Sequence, residues 1–192
     1  MSLSLYKPNS KNTGCGFSFQ AGLDGKTREP SFYIKSIQQH TWDSQKKRGY
    51  FQGNVSNPDK NITVKFNEYE LGSFIEAFNS RTEYNTFHSF KEDKTVIKLA
   101  PWDKKTKKSV KNEATGEWED KWSTIPAFSL SLTRNGSQKF GVGIEPGEAR
   151  AIVQLMKFAL NNLFNVRLKK QIEAVRDDLK SDDKKNDVEV PF

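Results

Sequence analysis

Four tryptophans stand among runs of lysine in this 192-residue sequence. Trp42 precedes Lys46, Lys47, Arg48 and Tyr50 in TWDSQKKRGYF, 41–51. Trp102 precedes Lys104, Lys105, Lys107 and Lys108 in PWDKKTKKSVK, 101–111, and Trp118 and Trp122 follow. Aromatic rings can stack on bases of any sequence, at about 1–3 kcal/mol per base, while cations follow the phosphate backbone. Binding of that kind weakens steeply with salt. All four Trp fall at strand ends or in loops, whereas a core Trp would usually sit inside an apolar stripe. The plainer alternative is that each Trp caps a small core and the lysines belong to solvated loops.

Catalytic chemistry finds less material. Pro58-Asp59 followed by Glu92-Asp93-Lys94 matches the loose pattern of a metal-dependent nuclease, which needs carboxylates converging on a divalent ion. Both segments read as turns, however. Gly141-Val-Gly143 lacks a phosphate-loop lysine and reads as a site of close packing. His40 and His88 have no Cys partner pattern for a metal, and Cys15 has no evident activating base. No catalytic residue, metal or cofactor is expected.

Charge divides along the chain. The net charge is +7, but 177–192 holds six acids and three lysines, which leaves +10 on 1–176. A basic body attracts phosphate backbone. Fourteen Phe, five Tyr and four Trp are enough to seed a core, although hydrophobic residues are only 34%. No run of about 18 apolar residues exists to span a membrane. MSLSLYKPNS lacks the apolar stretch of a signal peptide, and one Cys fits a reducing, intracellular compartment.

The elements that must carry these residues follow from periodicity. Segments 15–22, 31–40, 49–56 and 61–66 read as strands, with turn clusters at 23–26 and 57–60. In 67–81, Leu71, Phe74, Ile75 and Phe78 form a helical stripe, with Asn67 as N-cap and Glu70 completing a capping box. Segments 84–90, 94–100, 125–133 and 138–144 again read as strands, and Asn135-Gly136 marks a hairpin. Pro146 opens a second helix, with Ala149, Ile152, Val153, Met156, Ala159, Leu160 and Leu163 on one stripe. The region 104–121 reads as an inserted loop.

Both halves thus read ββββα, an internal repeat. With an offset of 78, Val64 meets Val142, Phe66 meets Ile144, Glu70 meets Glu148, Phe74 meets Ile152 and Phe78 meets Met156. A second match, with an offset of 60, sets Trp42-Asp43 over Trp102-Asp103. This pattern resembles the positive-cofactor-four fold, and two such units in one chain resemble the Whirly proteins, in particular phage-encoded members of this fold. The Lys-Gly-Lys-Ala-Ala-Leu motif of Whirly proteins is absent. The resemblance implies an α+β fold of antiparallel sheets packed with helices, and single-stranded DNA running over sheet edges and loops. Carried over residue by residue, it places Trp42 and Trp102 on the DNA, with Lys35 and Lys98 on the preceding strands; Trp122 joins the candidates as one of the four tryptophans. The expected organisation is a flexible N-terminus 1–13, repeats 14–81 and 84–165, a helical extension 166–180 and a disordered acidic tail 181–192.

The end of the chain, Asp187-Val188-Glu189-Val190-Pro191-Phe192, resembles the C-terminal tip of bacterial single-stranded DNA-binding proteins. A terminal Phe and its carboxylate can dock in a basic-rimmed apolar pocket. Before it, Leu168, Ile172, Val175 and Leu179 follow a heptad seam, which points to a homo-oligomer, a dimer first. The combined expectation is a non-enzymatic protein that coats single-stranded DNA in replication, recombination or repair. Its tip would recruit partners, in the host cytoplasm or nucleoid if the protein is phage-encoded. The alternatives are an OB barrel with the same role and an RNA-binding or transcription-regulating protein of the same fold.

Overall fold

The structure, a computed structural model, describes residues 1–113 and 116–186, with side chains through 177. Strand β1 is Ser2–Lys7, β2 Cys15–Leu23, β3 Pro30–Gln38, β4 Thr41–Asp43, β5 Arg48–Tyr50 and β6 Asn61–Phe66, followed by helix α1, Glu68–Ser80. Then come β7 Tyr84–Phe90, β8 Asp93–Lys111, β9 Trp118–Arg134, β10 Gln138–Ile144 and helix α2, Pro146–Asn186. Two four-stranded antiparallel sheets result, ordered β1-β2-β3-β6 and β10-β9-β8-β7, beside a small β4–β5 hairpin. Each large sheet leads directly into a helix, so the chain is a duplicated ββββα.

Period-2 alternation decides which face of each sheet is buried. Phe17, Phe19, Phe32 and Ile34 point inward from the first sheet; Ile97, Leu99, Leu130, Leu132, Phe140 and Ile144 point inward from the second. Helix α1 joins the two. Phe74 packs edge-on against Phe66 at 5.4 Å and against Phe78 at 5.5 Å, and Phe78 meets Phe128 at 4.9 Å. Its start is the expected capping box: Asn67 Oδ1 accepts from the Glu70 N–H and the Glu70 carboxylate from the Asn67 N–H. Helix α2 lays Ala149, Ile152, Val153, Met156 and Ala159 into the same cluster, against β2, β3 and α1. Where β10 meets β2, the Gly141 N–H reaches the buried Cys15 thiol, and burial pushes that thiol's pKa up.

Several boundaries differ from the sequence reading. Residues 2–7, expected in a flexible N-terminus, form β1 and supply the first unit's missing strand. Only Leu3 and Leu5 carry its apolar face, too little to stand out in SLSLYK. Segment 49–56, expected as a core strand, instead contributes the short β5 and a helical turn at Gln52–Asn54. The region 104–121, expected as a loop, continues β8 and β9 as a two-stranded ribbon, paired from Lys104↔Ile125 to Lys111↔Trp118. Polar residues on both faces hide its alternation. The 78-residue offset superposes β6 on β10 and α1 on α2, as expected. The Trp-Asp match does not hold: Trp42 follows the third strand of its unit, whereas Trp102 lies on the second of its own. Among the described residues, no helix is long and apolar enough to cross a membrane.

Candidate nucleic-acid interface

The two aromatic–basic clusters of the sequence sit on two β-arms. The first is the β4–β5 hairpin, paired Thr41↔Tyr50, Trp42↔Gly49 and Asp43↔Arg48. Its turn is set by Asp43, whose carboxylate accepts from the Gln45 and Lys46 N–H groups at 3.0 and 2.9 Å. Lys46 and Lys47 therefore occupy the tip, and the Arg48 guanidinium lies 5.7 Å from the Tyr50 ring centre. The hairpin is pinned at its base by buried Gln39, which accepts from the Asn9 N–H and donates to the Asn9 and Thr41 carbonyls and to Asn12 Oδ1. Gly49 packs on Pro8 so closely that a Cβ would stand 2.3 Å from the proline Cβ. Trp42, opposite Gly49, is half-buried.

The second arm is the β8–β9 ribbon. Its register puts Lys105, Lys107, Ser109 and Lys111 on one face with Trp118, Asp120, Trp122 and Thr124. Trp118 is 71% exposed and Trp122 68%. Lys107 lies 5.9 Å from the Trp122 ring centre and pairs with Asp120, holding that carboxyl below its ordinary range. The opposite face carries Trp102, Lys104, Thr106 and Lys108, together with Lys121 and Ser123. The structure thus splits one sequence cluster between two faces. The Trp102 ring packs on Gly143 of β10, where a Cβ would come 2.8 Å from its Cζ3. Lys98 continues this face toward β7 and pairs with Glu83.

Both arms leave one end of the molecule, around the start of α2. Gly49 packs on Pro8; the neighbouring Lys7 pairs with Glu148; and Lys104, at the ribbon's root, pairs with Glu145. Glu148 caps the helix by accepting from the Glu145 N–H, and Lys104 is the main cause of a lowered Glu145 pKa. Among the described residues, Lys35, Lys46, Lys47, Lys105 and Lys108 have no ion-pair partner. Lys35 lies apart from both arms, on the outer face of the first sheet. Trp118, Lys111 and Lys121 are further arm residues not among the candidates from sequence; the pairings Lys111↔Trp118 and Lys108↔Lys121 place them there. The tip Asp187, Val188, Glu189, Val190, Pro191 and Phe192 lies outside the described residues.

The nuclease-like carboxylates do approach each other, but around a protein cation. Arg134 sits between them, donating to the Pro58 carbonyl and lying 3.9 Å from Asp93, while Gln138 joins it to Asp59. Among the described residues, no group of three or more His, Cys, Asp or Glu is placed to hold a metal ion.

Duplicated ββββα units, two antiparallel sheets and two helices make this an α+β, Whirly-like fold, as the sequence resemblance implies. Solved structures share it, among them the following two. The plant transcriptional regulator PBF-2 superposes with a TM-score of 0.51 at 13% identity, over 88% of this chain and 85% of its own. WHY1 from Arabidopsis thaliana superposes with a TM-score of 0.52, also at 13% identity, over 91% of this chain and 92% of its own. No family model and no curated protein matches the sequence.

Proposed function

We propose that this protein binds single-stranded DNA without strong sequence preference and coats strands exposed in replication, recombination or repair. The observation that carries the reading is the pair of β-arms at one end, each joining exposed or half-exposed rings to lysines. The ribbon adds an electrostatic argument. Lys108 stands directly opposite Lys121, and like charges so placed are unfavourable in a bare hairpin. A phosphate between them relieves that repulsion. Exposed indoles in series suit stacked, unpaired bases, which a duplex would keep inside its own stack.

The acidic tip 187–192 recruits replication or recombination proteins in this reading. The exposed seam of Phe164, Leu168, Ile172 and Val175 on α2 pairs two copies. The reading includes a phage-encoded protein acting in the host cytoplasm, after the resemblance to phage-encoded members of this fold, and none of its steps requires catalysis. The description of PBF-2 as a transcriptional regulator favours a second reading, regulation of transcription through the same surface.

Fluorescence anisotropy tests the choice. A labelled mixed-sequence single strand is compared with its duplex and with the matching RNA, at low and high salt, with magnesium present. Tight, salt-sensitive binding to the DNA single strand, with quenched Trp fluorescence and intact DNA, is expected. Equal affinity for all three would remove the coating role, and strand cleavage would replace it with a nuclease.

A further inference from the structure

We infer that the outer face of the first sheet holds a pocket for one nucleotide of a single strand, with Tyr6 and Val55 as its walls and Lys35 at its mouth. The inference rests on the single-strand reading and adds a subsite on the sheet face beside the base of the first arm, where Tyr6 packs on Phe51. Register places Tyr6, Gly16, Ile37 and Asn61 in one row across the sheet, and Ser4, Ser18, Lys35 and Thr63 in the next. Gly16 is what lets the Tyr6 ring lie down: a Cβ there would come 2.8 Å from Tyr6 Cδ1. The opposite wall is held in place before any ligand arrives. Asn61 Nδ2 donates to the carbonyls of Asn54, Val55 and Asn57, and Asn54 Nδ2 donates to that of Gln38. Val55 is nonetheless 64% exposed and Tyr6 59%. Between them lies a cavity of about 310 Å³, at the small end of the range of about 300–1,000 Å³ for ligand sites.

The lining selects the occupant. Tyr6, Ile37 and Val55 offer flat and apolar contact for a planar ring, while the Ser18 and Thr63 hydroxyls stand on the neighbouring row. Lys35 has no ion-pair partner among the described residues and also borders a second depression with Gln20 and Tyr33. A lysine between two hollows fits a phosphate between two nucleosides. An extended peptide is a poorer fit, because β2 and β3 are inner strands whose ladders are already paired on both sides.

The full chain is titrated with a labelled 20-nucleotide oligo(dT), as wild type, Tyr6→Ala, Val55→Asp and Lys35→Gln, with thermal melting checked for each. Expected are affinity losses on the order of tenfold for Tyr6→Ala and Val55→Asp, and a salt dependence shallower by about 0.7 for Lys35→Gln. Val55→Asp guards against a folding effect of Tyr6→Ala, since Tyr6 also packs on Phe51. Unchanged affinity and salt dependence in all three variants, with a wild type that binds, would overturn the pocket alone. A wild type that does not bind would overturn the single-strand reading and the pocket with it. If Tyr6→Ala instead dissociates an oligomer while binding per chain is unchanged, the pocket belongs to a second copy, which also overturns the proposal.

Discussion

Trp118 and Trp122 are four residues apart on one strand, so they share a face, and their exposure leaves them little structural work. Replacing both with Ala should lower single-strand affinity by more than tenfold, at about 1–3 kcal/mol per stacked base. Thermal melting should stay unchanged, because neither ring enters the core. The paired change at Trp42 and Trp102 should cost affinity too, but also some stability, since one ring is half-buried and the other covers Gly143. Gln39 is the contrasting residue. It is buried and serves the first arm only by hydrogen bonding. Gln39→Ala leaves partners such as the Asn9 N–H unsatisfied and should destabilise the chain by about 2–3 kcal/mol. Urea unfolding measures this, and anisotropy should show weakened binding through Trp42 and Lys46. The Trp and Lys residues were legible as types in the sequence; Gln39 was not, because a hub is defined by partners distant in sequence.

Elements differ in how strongly local chemistry announces them. Strands Tyr84–Phe90 and Gln138–Ile144 match the sequence reading residue for residue, since turn signals or a helix start bound each one. Helix α1 was equally plain from its stripe and its capping box. The ribbon was not, because a strand exposed on both faces has no hydrophobic period to read, and cross-strand pairing, continued by the Asn112 N–H donating to the Glu117 carbonyl, decides it instead. The same exposure makes the ribbon separable from the fold. Joining Lys104 to Ile125 by an Asn-Gly turn suits a two-residue hairpin, because those residues are directly opposite. The shortened chain should melt within a few degrees of the wild type, as measured by circular dichroism. It should lose most single-strand affinity and much of its salt dependence, because Lys105, Lys107, Lys108, Lys111 and Lys121 leave together. Retained affinity would move the interface to the β4–β5 hairpin and the outer sheet face.

At the scale of the whole molecule, α2 is both brace and projection. Arg167 bridges Glu68 and Glu29, and Lys170 also reaches Glu29, so four charges fasten the helix to the start of α1 and to the turn before β3. Lys170 chiefly lowers the Glu29 pKa and Arg167 that of Glu68, each from an ordinary value of 4.5. A carboxyl with a depressed folded-state pKa stabilises the fold above its unfolded value and loses that contribution as pH falls through the folded value. The melting temperature should therefore fall as pH drops below the ordinary carboxyl value of 4.5. Arg167→Ala should lower it at pH 7 and flatten that drop; high salt should do the same in part, because these groups are partly exposed. Past this brace, Leu168, Ile172 and Val175 lie exposed along one side of α2. Their spacing is that of a short coiled-coil seam, and a seam of this kind is satisfied by an identical helix under twofold symmetry. Leu168→Glu with Ile172→Glu should shift the sedimenting species from dimer to monomer, keep the circular dichroism spectrum of the fold and remove the concentration dependence of melting. Affinity for a strand spanning one chain should then hold, while affinity for one long enough to reach two chains should fall, because the second contact is no longer intramolecular. Monomeric wild-type protein would leave that face without a role in pairing, and the arms and outer sheet face of a single chain would account for the whole binding surface.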